Sequence, residues 1–138
     1  MANEYLVVTG SFCLIAALAE AWLLVMVFSM PGGGLARLIP GIQDLLKSHI
    51  DHLMMALLLF VFFLLFGHFR IAAPAWAILA LCLGSIGNPA LFLFRAIRPA
   101  LKEPTPAFRL AMSASCSLTT LGYVAGAWMV GRAAGSLL

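Results

Sequence analysis

Two histidines, His49 and His52, flank an aspartate at the start of the apolar segment Leu53–Phe66. Residues three positions apart on a helix project about 60° from each other, so both imidazoles are expected on one face at the edge of a membrane span. A neutral imidazole there can be an axial ligand for haem iron or a ligand for zinc. The alternative is a polar cap that hydrogen-bonds to lipid headgroups, with Asp51 pairing with Lys47 four residues earlier.

Glu20 and Asn88 are the two other polar residues of interest, because each lies inside an apolar segment. A carboxylate in mid-span is expected to face the bundle interior or a polar cavity and to have a function, although a protonated Glu20 could also be a packing residue. Asn88 could hold a ligand or bond to a neighbouring helix. Pro89, which follows it, removes a backbone donor and frees a carbonyl about a turn earlier.

The composition requires a membrane environment for these residues. The 138-residue chain is 64% hydrophobic and only 9% charged, whereas soluble proteins carry about 25% charged residues. The first apolar segment has no basic stretch before it and contains Glu20, so we expect a mature span rather than a secretory signal. The sequence predicts an all-α integral membrane protein, a single domain over 1–138, with a four-helix bundle of spans at roughly 5–28, 49–66, 73–94 and 108–130.

The loops suggest an orientation for this bundle. Basic residues concentrate in the first and third loops, which the positive-inside rule places in the cytoplasm. We therefore expect a multi-pass protein of the inner membrane with both termini outside, and no role in binding nucleic acid. The residues of the two basic loops are Arg37, Lys47, Arg95, Arg98, Lys102 and Arg109, against Arg70 and Arg132 on the other side.

Several local features complete the expected architecture. An interfacial amphipathic stretch is expected over Leu35–Lys47, and Asp44 or Ser48 is expected to cap the second span. The fourth segment is rich in small residues, which favours a close helix–helix or subunit interface. The cysteines fall in three different spans and are expected to be packing residues; they are Cys13, Cys82 and Cys116.

Two segments resemble a known family of small four-helix membrane proteins, the relatives of styrene oxide isomerase and hydroxylaminobenzene mutase. Ser48–Ala56 resembles the family pattern A-H-L-E-G-L-L-N-G on the second helix. Gly84–Phe94 resembles the pattern G-x-x-N-x-x-x-Y-L-F on the third helix, with Asn88 and the final Leu-Phe in common. The chain departs from the family at three positions: its helix-two asparagine falls on Met55, its tyrosine on Phe92 and a usual glycine on His52.

The resemblance implies a cofactor and a reaction. It implies a homotrimer that binds haem b at each interface through His49, with ferric iron as Lewis acid on an epoxide oxygen. Ring opening would give a benzylic carbocation, and a 1,2-hydride shift would then give an aldehyde without net redox change. The related reaction is rearrangement of an arylhydroxylamine. Asn88 would position the small lipophilic aromatic substrate, His52 would be a second or alternative ligand, and Glu20 would neutralise the iron's charge or hold a neighbouring helix.

Three other functions remain open from the sequence. Ala17–Ala21 resembles the A-x-L-A-E segment of small multidrug resistance transporters, in which the glutamate binds cations or protons in a dimer, and this role would fall on Glu20. Those chains are shorter, and the comparison does not account for His49 and His52. The chain could also be a haem membrane protein without isomerase activity, or a structural subunit whose polar residues fix helix register.

Overall fold

The computed structural model describes residues 3–30, 32–98 and 105–136, and within these ranges every regular element is a helix. Four helices are long and one is short. The third-loop residue Lys102, expected to be cytoplasmic, lies outside the described ranges. The helices are α1 (Glu4–Ser29), α2 (Gly34–Leu38), α3 (Ile42–His68), α4 (Ala75–Ile97) and α5 (Pro106–Gly135).

Three of these helices, α1, α3 and α4, are long and apolar enough to cross a membrane. Helices α1 and α3 contain the first two predicted spans, and α4 covers the third apart from its first two residues. The chain is therefore a multi-pass helical membrane protein. The fourth predicted span, 108–130, lies within α5, which is 30 residues long. Frequent serine, threonine and glycine residues make α5 less apolar than the other three helices, and it is not among those apolar enough to cross a membrane by composition.

The start of α3 corrects the predicted cap. The helix begins at Ile42, seven residues before the predicted span, and neither Asp44 nor Ser48 is its N-cap, because Gly41 occupies that position. The Gly41 N–H donates to the carbonyl of Ala96 at 2.9 Å, and a Cβ at Gly41 would lie 2.7 Å from the Ala96 Cα. This backbone contact with the end of α4 requires glycine. His49 therefore lies about two turns inside a helix rather than at its edge.

Helices α3 and α4 are joined by a short turn, and the start of α3 contacts the end of α4, so the two are antiparallel neighbours. Arg70 in this turn has a φ of 52°, a left-handed conformation that ends α3. Helix α1 packs mainly on α3 and also touches α4, while α5 packs mainly on α4. The largest apolar cluster lies where α1, α3 and α4 meet and is formed by Leu6, Leu59, Phe62, Phe66, Ala73, Ile78, Leu81 and Cys82.

Glycines bring α4 and α5 into close contact. A Cβ at Gly84 would lie 2.6 Å from the Thr119 nitrogen, and one at Gly122 would lie 2.6 Å from the Leu81 nitrogen. The small residues of α5 thus form a helix–helix contact, as expected, but within the chain. They do not by themselves indicate a subunit interface.

Candidate functional site

Glu20 lies in the interior of the bundle, where α1 faces α3 and α4. Its side chain is almost fully buried, with 3% of the residue exposed. Ser48 on α3 places its Oγ 2.6 Å from Glu20 Oε1 and 2.9 Å from the carbonyl oxygen of Pro89 on α4. One hydroxyl therefore links all three apolar helices.

His52 completes this buried group, one turn after Ser48 on the same face of α3. Its Nδ1 lies 3.1 Å from Glu20 Oε1 and 3.0 Å from Oε2, and the residue is 3% exposed. We refer to Glu20, Ser48, His52 and the Pro89 carbonyl as the polar cluster. In an apolar interior such groups are stable only when they satisfy one another, and here they do.

The hydrogen bonds that can form within the polar cluster depend on whether Glu20 carries a proton. A hydroxyl donates only one hydrogen, whereas Ser48 has two oxygen acceptors in reach, on Glu20 and Pro89. When Glu20 is ionised, Ser48 can donate to it, and the Pro89 carbonyl is left to its helix bond. A proton on Glu20 would allow Glu20 to donate to Ser48, Ser48 to Pro89 and the His52 N–H to the second carboxyl oxygen.

His49 lies next to the polar cluster in sequence but points elsewhere. Its Nδ1 is 2.9 Å from the carbonyl oxygen of Ala17 on α1. A carbonyl oxygen only accepts hydrogen bonds, so Nδ1 carries the hydrogen and the lone pair of the neutral ring is on Nε2. Histidines that bind metals usually show this arrangement, in which one ring nitrogen donates to a carbonyl and the other binds the metal.

The surface around His49 is apolar and open to the exterior of the chain. Leu46 and Leu53, three residues before and four after His49 on the same face of α3, are 44% and 39% exposed. His49 itself is partly exposed. A planar apolar ligand could therefore reach the imidazole from outside the bundle.

Asn88 lies on a different side of α3 from His49. Its Nδ2 donates to Asp51 Oδ2 at 3.0 Å, and the Sγ of Cys116 on α5 lies 3.8 Å from its Oδ1. Residues 49 and 51 point about 200° apart on a helix, so the Asn88–Asp51 pair and the His49 ring face nearly opposite directions. Asp51 forms no ion pair with Lys47, since its carboxylate accepts from Asn88 instead.

Tyr123 on α5 supplies a partly buried phenol. Its hydroxyl lies 2.9 Å from Ser85 Oγ and donates to Met55 Sδ at 3.3 Å. Met55 is the residue at which the resemblance would place an asparagine, and the phenol reaches it from α5. The Ser85 carbonyl, which Pro89 deprives of its helical donor, lies 3.8 Å from the Sγ of Cys13.

The structure brings some predicted site residues together and separates others. Glu20 and His52 are in contact, whereas His49 and Asn88 are on different faces. In the part of the chain that the structure describes, no three His, Cys, Asp or Glu side chains are grouped to hold a metal ion. Haem iron needs only one or two protein ligands, so a haem site does not require such a group.

Ser48 is the central residue that sequence reasoning missed, since it was considered only as a cap. The available signal was spacing: Ser48 and His52 are four residues apart and thus share a helix face. The hydrogen bond from His49 to the Ala17 carbonyl could not be predicted, because any residue type supplies the same backbone acceptor.

Models of protein families, curated proteins and solved structures were compared with the chain, and none matches it. The isomerase resemblance therefore stays a prediction.

Proposed function

We propose that this chain is an intramembrane isomerase that binds haem b through His49. The observation that carries the proposal is the hydrogen bond from His49 Nδ1 to the Ala17 carbonyl, 2.9 Å long. It leaves Nε2 as the ligating nitrogen and holds the ring beside an apolar, accessible surface. His52 has the same ring chemistry, but its Nδ1 is held by Glu20 in the interior, so we assign the iron to His49.

The separation of His49 from Asn88 supports an oligomeric site. A reaction that uses both residues needs the His49 face of one copy to meet the Asn88 face of the next. Such a contact joins two different surfaces and closes into a ring, and we propose that the ring is a homotrimer. The long exposed face of α5 is available for burial in it, with Leu110, Leu121, Val124 and Trp128 between 58% and 72% exposed.

The chemistry proposed for this site needs few protein groups. Bound ferric haem supplies a Lewis acid for the oxygen of a small lipophilic aromatic substrate, an epoxide or an arylhydroxylamine. Asn88 hydrogen-bonds the substrate and orients it, and Asp51 holds the Asn88 amide in one orientation. The apolar surroundings exclude water, which strengthens each of these polar contacts. We place the protein in the inner membrane, with the basic loops in the cytoplasm and the termini outside.

We favour this function over proton-coupled cation transport because of the surroundings of Glu20. A transporter glutamate must be accessible to its cation from one side of the membrane. Here the Glu20 carboxylate is buried and is engaged by Ser48 and His52 at distances of 2.6 to 3.1 Å. We propose instead that the carboxylate holds the helices in register.

An absorption spectrum of the purified protein tests the proposal, with His49→Ala and His52→Ala as a matched pair. We expect a Soret band in the wild type, its loss in His49→Ala and its retention in His52→Ala, followed by turnover of epoxides or arylhydroxylamines. A wild type that stays colourless after haem is supplied would overturn the haem proposal. A band that survives in His49→Ala and disappears in His52→Ala would move the ligand to His52.

A further inference from the structure

The end of the bundle where α3 begins and α4 ends is strongly basic. Within the described residues, α2, the first turns of α3, the last turn of α4 with Arg98 beyond it, and the first turn of α5 all carry cations there. Such a concentration of positive charge at the end of membrane spans matches the level of lipid headgroups. The cations are Arg37, Lys47, Arg95, Arg98 and Arg109.

Two of these cations, Lys47 and Arg95, line one cavity of about 370 Å³ between the N-terminus of α3 and the C-terminus of α4. Residues 40–44 form the rest of its described wall. The backbone N–H groups of Ile42 and Gln43 belong to the first turn of α3 and have no acceptor within the helix. The positive end of the helix dipole therefore adds to the two cations.

Among the described residues that line the cavity, Asp44 is the only carboxylate, and it does not neutralise both cations. Asp44 is 4% exposed and lies with its Oδ1 3.5 Å from a terminal nitrogen of Arg95. Arg95 Nε is buried and has no hydrogen-bond partner in the described part of the chain. Lys47 is exposed, and its ammonium forms no ion pair with a described residue. The positive charge of Lys47 and the first backbone N–H groups of α3 are therefore left for an anion.

We propose that this cavity binds a phosphate group, supplied by an anionic lipid headgroup. Lys47 and the Arg95 guanidinium would contact the phosphate oxygens, and the first N–H groups of α3 would complete the site. Leu38 and Leu46 at the same end are 62% and 44% exposed, which gives the acyl chains an apolar surface to follow. The proposal does not depend on haem binding or on isomerase activity.

Lys47→Gln tests the site, with Arg132→Gln at the other end of the bundle as the matched control. Arg132 is exposed on α5, so both variants remove one exposed cation. The wild type and both variants would be titrated in detergent with phosphatidylglycerol and, separately, phosphatidylcholine, and bound lipid counted by native mass spectrometry. We expect selective binding of phosphatidylglycerol that is about tenfold weaker in Lys47→Gln and unchanged in Arg132→Gln.

A second variant tests the role of Arg95 without leaving Asp44 unpaired. Asp44→Asn/Arg95→Gln removes the ion pair together with the second cation, and we expect it to fold and to bind phosphatidylglycerol more weakly than the wild type. Inorganic phosphate is the probe for the other source: if it displaces the lipid at millimolar concentration, the cavity takes phosphate in either form. Equal loss in Lys47→Gln and Arg132→Gln, or equal binding of both lipids, would overturn the proposal.

Discussion

Glu20 on α1 and His52 on α3 are joined in the interior of the bundle by a contact of 3.0 Å between Oε2 and Nδ1. Because Ser48 also contacts Glu20 and the Pro89 carbonyl, this contact fixes the rotation of α3 against both neighbouring helices. His49 follows Ser48 directly, so the same rotation directs its ring towards the Ala17 carbonyl. The buried cluster thus determines where the exposed imidazole faces.

Replacing Glu20 distinguishes its hydrogen bonds from its charge. We expect Glu20→Ala to destabilise the protein by about 3 kcal/mol, because Ser48 and His52 remain buried with an acceptor removed. Glu20→Gln should cost much less, since its amide can donate to Ser48 and its carbonyl can accept from His52. Unfolding in mixed detergent and dodecyl sulfate measures both. Equal destabilisation in the two variants would mean that the charge, rather than the hydrogen bonds, stabilises the cluster.

The tautomer of His49 is a second prediction, and it holds without any cofactor. We expect the neutral ring to carry its hydrogen on Nδ1, because the Ala17 carbonyl can only accept. The ¹⁵N chemical shifts of histidine-labelled protein report this directly, with His49→Ala used to assign the signals. In Glu20→Ala the same signal should shift towards a mixture of tautomers, since α1 and α3 lose their common register. A His49 ring with its hydrogen on Nε2 in the wild type would contradict the assignment.

Much of the fold could be predicted from the sequence because apolar segments of span length leave few alternatives in a membrane. The first three spans and the antiparallel pairing of α3 with α4 follow from hydropathy and from the short turn before Pro74. The start of α3 did not follow. Pro40 and Gly41 look like an interruption of an interfacial helix, whereas in the structure Gly41 contacts Ala96, 55 residues further along the chain, through its backbone.

The site was harder to predict than the fold because it depends on helix rotation. Glu20, His49, His52 and Asn88 all stood out as polar residues in apolar segments, and that signal was sufficient to find them. Their grouping was not predictable, because a membrane span gives no sign of which face meets which neighbour. The sequence placed both histidines on one face, yet the 60° or so between them puts one in the interior and the other beside α1 at the surface.

The close contact of α4 and α5 gives a prediction about packing. Gly122→Ala would place a Cβ 2.6 Å from the Leu81 backbone nitrogen, and backbone atoms cannot move aside as a side chain could. We expect a loss of about 1–3 kcal/mol in the same unfolding measurement. Gly131→Ala is the control, because it lies on the same helix and no described atom beyond its own stretch of helix lies within 4 Å of the added Cβ, and alanine favours helix formation. A Gly122→Ala variant as stable as Gly131→Ala would show that the two helices can separate without cost.

Asn88 and Asp51 form a hydrogen-bonded pair, and replacing Asn88 with aspartate should make the melting temperature depend on pH. Asn88→Asp would place two carboxyl groups at the present distance of 3.0 Å between Nδ2 and Oδ2. At low pH one carboxyl keeps its proton and donates to the other, whereas at higher pH both ionise and repel. We therefore expect the melting temperature of Asn88→Asp to fall as the pH rises from 5 to 8, by about 5 °C relative to the wild type. Asp51→Asn/Asn88→Asp restores the pair, with the amide now on α3 and the carboxylate on α4. The stability of this double variant should return to near the wild-type value, and its melting temperature should lose the added pH dependence. If the exchanged variant stays as unstable at pH 8 as Asn88→Asp alone, the two side chains do not interact as a pair.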